Sequence, residues 1–162
     1  MTTSDLSTTN APPIYALERL LVEAMRDGFD GLAVVERASG AVLASVSTFI
    51  SVVEAEFVVP AAIGWVLTRA PYPWLAAGEV VTTSNYTYGV TNFALCLIRR
   101  HWFVIGWVNT VPVEHFGRLC ECITELMSAV AAPAPSAEPH KLDNGRTLAE
   151  LSSWLDESAG AA

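Results

Sequence analysis

Residues 92–130 read NFALCLIRRHWFVIGWVNTVPVEHFGRLCECITELMSAV, and this stretch decides the fold. In its second half Val113, Phe116, Leu119, Ile123, Leu126 and Val130 recur every three or four residues, the stripe of an amphipathic helix. Pro112 falls in the first turn, where a missing N–H costs nothing, and Glu114 favours the positive end of the helix dipole. In its first half two apolar runs, 92–99 and 102–109, flank Arg100-His101 at the spacing of a β-hairpin. A hairpin followed at once by a helix with one stripe to bury gives a sheet-plus-helix unit. The start of the chain repeats the theme in reverse, helix first and hairpin second.

Residues 1–12 are polar and read as a disordered leader. Ile14, Leu17, Leu20, Leu21, Ala24 and Met25 then trace a helical stripe that Gly28 is placed to end. The β-prone runs 32–36 and 42–46 flank Ala38-Ser39-Gly40, where the glycine supplies a positive φ for a tight turn. From Val52 to Arg69 almost every position is apolar, which reads as a second helix. Pro60 lies inside it, so it either kinks that helix or begins a shorter one preceded by extended chain. Residues 70–77, with Pro71 and Pro73, form a loop, and 79–85, rich in Val and Thr, a third strand.

After Val130 the composition shifts to Ala, Pro and Ser. The domain is therefore drawn at 13–131, with a linker over 132–146 that has little reason to pack. Thr147 and Glu150 then stand at capping-box spacing, followed by Leu148, Leu151, Trp154 and Leu155 on one side of a helix over 147–158. A single helix of about a dozen residues is marginal in water. The tail is expected to be mobile in the free protein and to become helical on docking, either on its own sheet or on a partner. Removing residues 140–162 would then leave the domain folded.

The chain has 162 residues, enough for one sizeable core. Apolar residues make up 52% and charged ones 16%, a lean surface that calls for a partner over an exposed apolar face. The net charge of −8 argues against nucleic acid and anionic membrane surfaces, which need clustered Lys and Arg. No apolar stretch reaches the ~18–20 residues of a membrane span, and the N-terminus lacks the basic start and apolar core of a secretory signal. Cys96, Cys120 and Cys122, an odd number in apolar contexts, are not a disulfide framework. A cytoplasmic protein is expected.

Catalytic constellations are hard to assemble. His101, His115 and His140 fall in a hairpin turn, a helix start and the linker, without metal-ligand spacing. Glu114 and His115 are adjacent on a helix and diverge, and Cys120 and Cys122 point to different sides. No Walker-type phosphate loop is present. Trp65, Trp74, Trp102 and Trp107 read as packing residues, with Trp65 on a helix apolar nearly all round and so placed for a seam between subunits. Arg99 or Arg100 could act as an arginine finger, although a hairpin-turn arginine is usually solvated. No catalytic, cofactor or metal residue is assigned.

The order helix, hairpin, helix, three strands, helix resembles the roadblock (dynein light chain roadblock) domain. The residues that carry the resemblance are strand 31–37 with its Ser39-Gly40 turn, the 93–98 and 103–108 pair, and the closing helix 116–130. The resemblance implies an α/β sandwich related to longin and profilin-like folds: a five-stranded antiparallel sheet, one long helix on one face and two on the other. It further implies a homodimer joined through the second helix and third strand, here Phe57, Ala61, Trp65, Val80, Val81 and Thr83. Most such domains are platforms for small Ras-like GTPases. The bacterial branch includes the GTPase activator of gliding motility and polarity, whose partner supplies every catalytic residue. There the C-terminal tail contacts the GTPase, which would give Leu148, Leu151, Trp154 and Leu155 a partner-docking role. An adaptor for other roadblock-type or signalling proteins is the alternative, and a small-molecule sensor a third class without the convergent polar groups it needs.

Overall fold

Strands β1 (Gly31–Glu36), β2 (Val42–Ser47), β3 (Val80–Asn85), β4 (Thr91–Ile98) and β5 (Trp102–Val108) form one sheet in the order β2-β1-β5-β4-β3. Every neighbouring pair is antiparallel. The computed structural model describes residues 11–48, 50–69, 80–85, 91–108, 113–142 and 145–153. The leader up to residue 10, the loop around Trp74, Pro112 and the tail from Trp154 on lie outside them.

Strands β1, β4 and β5 are apolar at consecutive positions because both faces of the sheet centre are covered. Side chains alternate across a strand. Leu32, Val34, Ala94, Cys96, Ile98, Trp102 and Val104 therefore share one core with α1 (Ile14–Ala24) and α3 (Val113–Met127), through Leu17, Leu21, Phe116, Leu119, Ile123 and Met127. Ala33, Val35, Leu95, Leu97, Phe103, Ile105 and Trp107 face the other way, onto α2 (Val52–Arg69). A 3-10 turn, Met25–Asp27, follows α1 and ends at Gly28 with φ +103°, as the sequence predicts.

Helix α2 is continuous through Pro60, so the shorter helix beginning there is corrected. Two features carry the helix past the proline. Ser51 caps the start, its Oγ accepting from Glu54 N at 3.2 Å and its carbonyl from Ala55 N at 3.0 Å. The carbonyl that loses its donor to Pro60 belongs to Glu56, an exposed residue where water can replace the bond.

The tail also departs from expectation. Backbone bonds hold it from His140 onward: His140 N donates to Ser39 O at 2.7 Å, Lys141 bridges to Thr147, and Leu142 N donates to Arg146 O at 2.9 Å. Thr147 Oγ1 accepts from Glu150 N at 3.1 Å, the predicted cap, and opens the short helix α4 (Leu148–Leu151). Leu148 is 1% exposed in the core under α2, with Leu142 and Leu151 packed beside it. Gly64 makes the room, since a Cβ there would stand 2.6 Å from Leu142 Cδ1. Residues 140–142 and 145–153 of the segment assigned to a free tail thus pack on the second core, held in cis because they cover apolar surface that α2 leaves open.

Leu148→Ala should lower stability by about 2–5 kcal/mol, the usual cost of emptying a buried leucine site. For a chain of this size that is roughly 5–15 °C in Tm. A calorimetric melt measures it, and an unchanged Tm would return the tail to the solvent.

Candidate functional site

Helix α2 has two apolar sides but only one is covered. Inward lie Ala55, Val59, Ile63, Val66 and Leu67. Outward, Val53 is 69% exposed, Phe57 61% and Val58 45%, and Ala61 is exposed one turn after Phe57. Further along this side Trp65 is half-buried against Phe93, ring centroids 5.8 Å apart. The structure therefore gathers Phe57, Ala61 and Trp65 on one stripe. A cavity of about 210 Å³, lined by Ile50, Val58, Val59, Ala62, Phe93 and Trp107, runs along the stripe. On its other flank His140 of the tail packs against Phe57, centroids 6.1 Å apart.

Val80, Val81 and Thr83 stand on β3, paired with Cys96, Leu95 and Phe93. β3 is an outer strand of the sheet, so one of its backbone edges faces no strand among the described residues. The side chains of these three residues lie outside the description. Of the tail residues, Leu148 and Leu151 sit on α2 of their own chain, while Trp154 and Leu155 are not described.

Arg37, which the sequence reading passed over, organises the end of the sheet. It is 8% exposed in the β1–β2 turn. Its Nε donates to Ser152 Oγ at 2.7 Å, Nη2 to Ser152 O at 2.8 Å and Nη1 to Arg100 O at 3.2 Å. Ser152 is fully buried and its hydroxyl donates back to Leu148 O at 2.6 Å. One guanidinium thus closes the C-terminal end of α4, where carbonyls lack helical partners. The sequence signal was weak: an arginine beside a turn is ordinarily solvated.

Arg99 is no arginine finger. Its Nη1 donates to the carbonyls of Met127 and Val130, so it closes the end of α3, and its guanidinium lies 5.4 Å from the Trp102 ring centroid. The histidines stay apart, on the β4–β5 turn, α3 and the tail. His115 Nδ1 approaches Asp27 Oδ1 at 3.4 Å, with both side chains well exposed. Among the described residues no group of three or more His, Cys, Asp or Glu could hold a metal ion. None of their helices is long and apolar enough to cross a membrane. Cys122 is exposed and Cys120 buried, as their spacing predicts. A contact the sequence did not suggest links Cys120 to Cys96 across the first core; the hydrogen bond with Cys96, and then burial, push the Cys120 thiol far up.

No family model and no curated protein matches the sequence. Solved structures do match. The chain is similar to Myxococcus xanthus MglB with a TM-score of 0.50 and 6% identity, over 76% of this chain and 97% of that one. An MglB with a tetrameric arrangement follows at TM-score 0.47 and 14% identity, covering 74% and 94%. The gliding protein MglB of Thermus thermophilus gives 0.47 and 13%, covering 73% and 93%. At these identities the likeness is one of fold, and the fold is the roadblock type that the order of elements implied.

Thiol titration of the native protein should register Cys122 quickly and the other two cysteines only on unfolding. The thiolate is the reactive form, and the hydrogen bond with Cys96, with burial, holds Cys120 protonated. Three fast-reacting thiols would contradict the packing of the first core.

Proposed function

We propose that this chain is a non-enzymatic, homodimeric regulator of a small Ras-like GTPase, of activating or scaffold type, in bacterial polarity, motility or signalling. The observation that carries the reading is the exposed stripe Val53, Phe57, Val58 and Ala61 on α2, on a roadblock-type fold whose β3 is an outer strand. A two-fold arrangement would lay α2 against α2 and continue one sheet into the other through β3. Burying each large apolar side chain in such a seam is worth about 1.5–3 kcal/mol, and pairing β3 removes an open edge.

In this reading the dimer is a rigid platform, and hydrolysis belongs to the GTPase's own residues. The functional half rests on kinship of fold. Leu148 and Leu151 are engaged by α2, so any tail contact with the partner falls to Trp154 and Leu155. The alternative, an adaptor between other roadblock-type or signalling proteins, uses the same platform without a GTPase.

Sedimentation velocity should give a dimer at micromolar concentration, and Phe57→Glu should convert it to a folded monomer, since this side chain is 61% exposed within one chain. A stable wild-type monomer would end the seam hypothesis. Phosphate release from a small Ras-like GTPase of the same organism should change on adding the wild type and not on adding Phe57→Glu. No co-elution in either nucleotide state, with unchanged hydrolysis, would favour the adaptor.

A further inference from the structure

The two hairpin turns at one end of the sheet are tied together, Arg37 N donating to His101 O at 2.9 Å. Between them opens a cavity of about 160 Å³. Its walls are Arg37, Ala38, Arg100 and His101 from the turns, and Pro133 and Ala149 from the C-terminal segment. Arg37, Arg99 and Arg100 are three of only nine Lys and Arg in a chain of net charge −8, so this end is a basic spot on an acidic molecule.

The three guanidiniums have different duties. Arg37 holds α4 and Arg99 holds α3. Arg100 is exposed, and its guanidinium makes no hydrogen bond or ion pair among the described residues. Its backbone nonetheless sits at φ +67°, next to Arg99 at +50°. Turn positions with positive φ favour Asn, Asp and Gly. At Arg99 the cap on α3 explains the choice. At Arg100 nothing among the described residues does, although the side chain borders a cavity.

We propose that this cavity is a carboxylate site, in which Arg100 receives an acidic side chain from a segment of a partner protein. A guanidinium fork meets the two oxygens of a carboxylate in parallel hydrogen bonds. One unengaged fork matches one such group in charge and geometry. A space of about 160 Å³, roughly five waters at ~30 Å³ each, admits the end of one Asp or Glu and no nucleotide. Glu36 ends β1 half-buried, and exposed Glu150 follows Ala149, so carboxylates border the spot. They and the net charge of −8 keep the attraction local: the site reads by contact and not by long-range steering.

The test is fluorescence anisotropy of the full chain with a labelled Asp/Glu-Gly peptide, its Asn/Gln-Gly counterpart and a phosphoserine-Gly peptide, at about 20 and 200 mM salt. The acidic peptide should bind, more weakly at high salt, and the amide peptide should not. Arg100→Asn should weaken binding about fivefold or more, with Tm unchanged or raised because Asn suits the backbone. Arg100→Gln, which keeps the original strain, should weaken it equally. The proposal is overturned by equal binding of the amide peptide, by full affinity in both variants, or by no binding at low salt. A phosphoserine peptide held about tenfold tighter than the acidic one through Arg100 would overturn it in favour of a phosphate site.

Discussion

Three adjacent strands that are buried on both faces impose the rest of this architecture. Leu32 to Val35, Ala94 to Ile98 and Trp102 to Ile105 are all buried, so neither side of the sheet centre can meet water. Strands of this kind are unusual in antiparallel sheets, where one face is commonly solvated. The fold must therefore supply two covers. On one side α1 and α3 share the task, each with a regular stripe. On the other, α2 works with the short α4 and Leu142. The tail is held in place because the second cover is incomplete without it.

The same constraint explains why the turns at one end carry arginines. The two covers deliver helix ends to that end of the sheet, α3 finishing near the β4–β5 turn and α4 near the β1–β2 turn. Their last carbonyls point where no further helical N–H exists. Arg99 and Arg37 reach them from the turns, placing positive charge against the negative ends of helix dipoles. Each turn thereby serves the sheet through its backbone and a helix through its side chain.

What was legible in the sequence followed periodicity. The stripes of α1 and α3, the glycine turns, the Thr147 cap and the apolar strands could be read because each is a local pattern with one physical meaning. Helix α2 was half legible: Pro60 obscured it, although Ser51 and Glu54 stand at capping-box spacing just before it. The tail misled because helical propensity says nothing of where a helix docks, and Gly64 announces no contact. Arg37 and Arg99 were illegible because their partners, most of them backbone carbonyls, lie 28 to 115 residues away. Of the candidate seam, Phe57, Ala61 and Trp65 share one side of α2, but beyond Trp65, on a helix apolar nearly all round, the seam was only what the resemblance implied, not a pattern in the residues.

The nearly unbroken apolarity of α2 after Glu56 is what makes its outer side informative. An amphipathic helix orients itself, since turning it over would bury charge. On α2 only Glu54 and Glu56, both exposed near its start, do this among the described side chains, and shape does the rest. Ala55 and Gly64 let it approach the sheet and the tail closely, and the bulkier Phe57 and Val53 are left outside. For a monomer nothing would be lost by placing Lys or Glu at those positions, and solubility would gain. Retaining Val53, Phe57 and Val58 beside a cavity lined only by apolar residues is reasonable for a surface that is covered in use. The outer side of α2 and the basic end of the sheet are different surfaces with different chemistry. A dimer joined through the first would leave Arg100 in each subunit to meet a further partner.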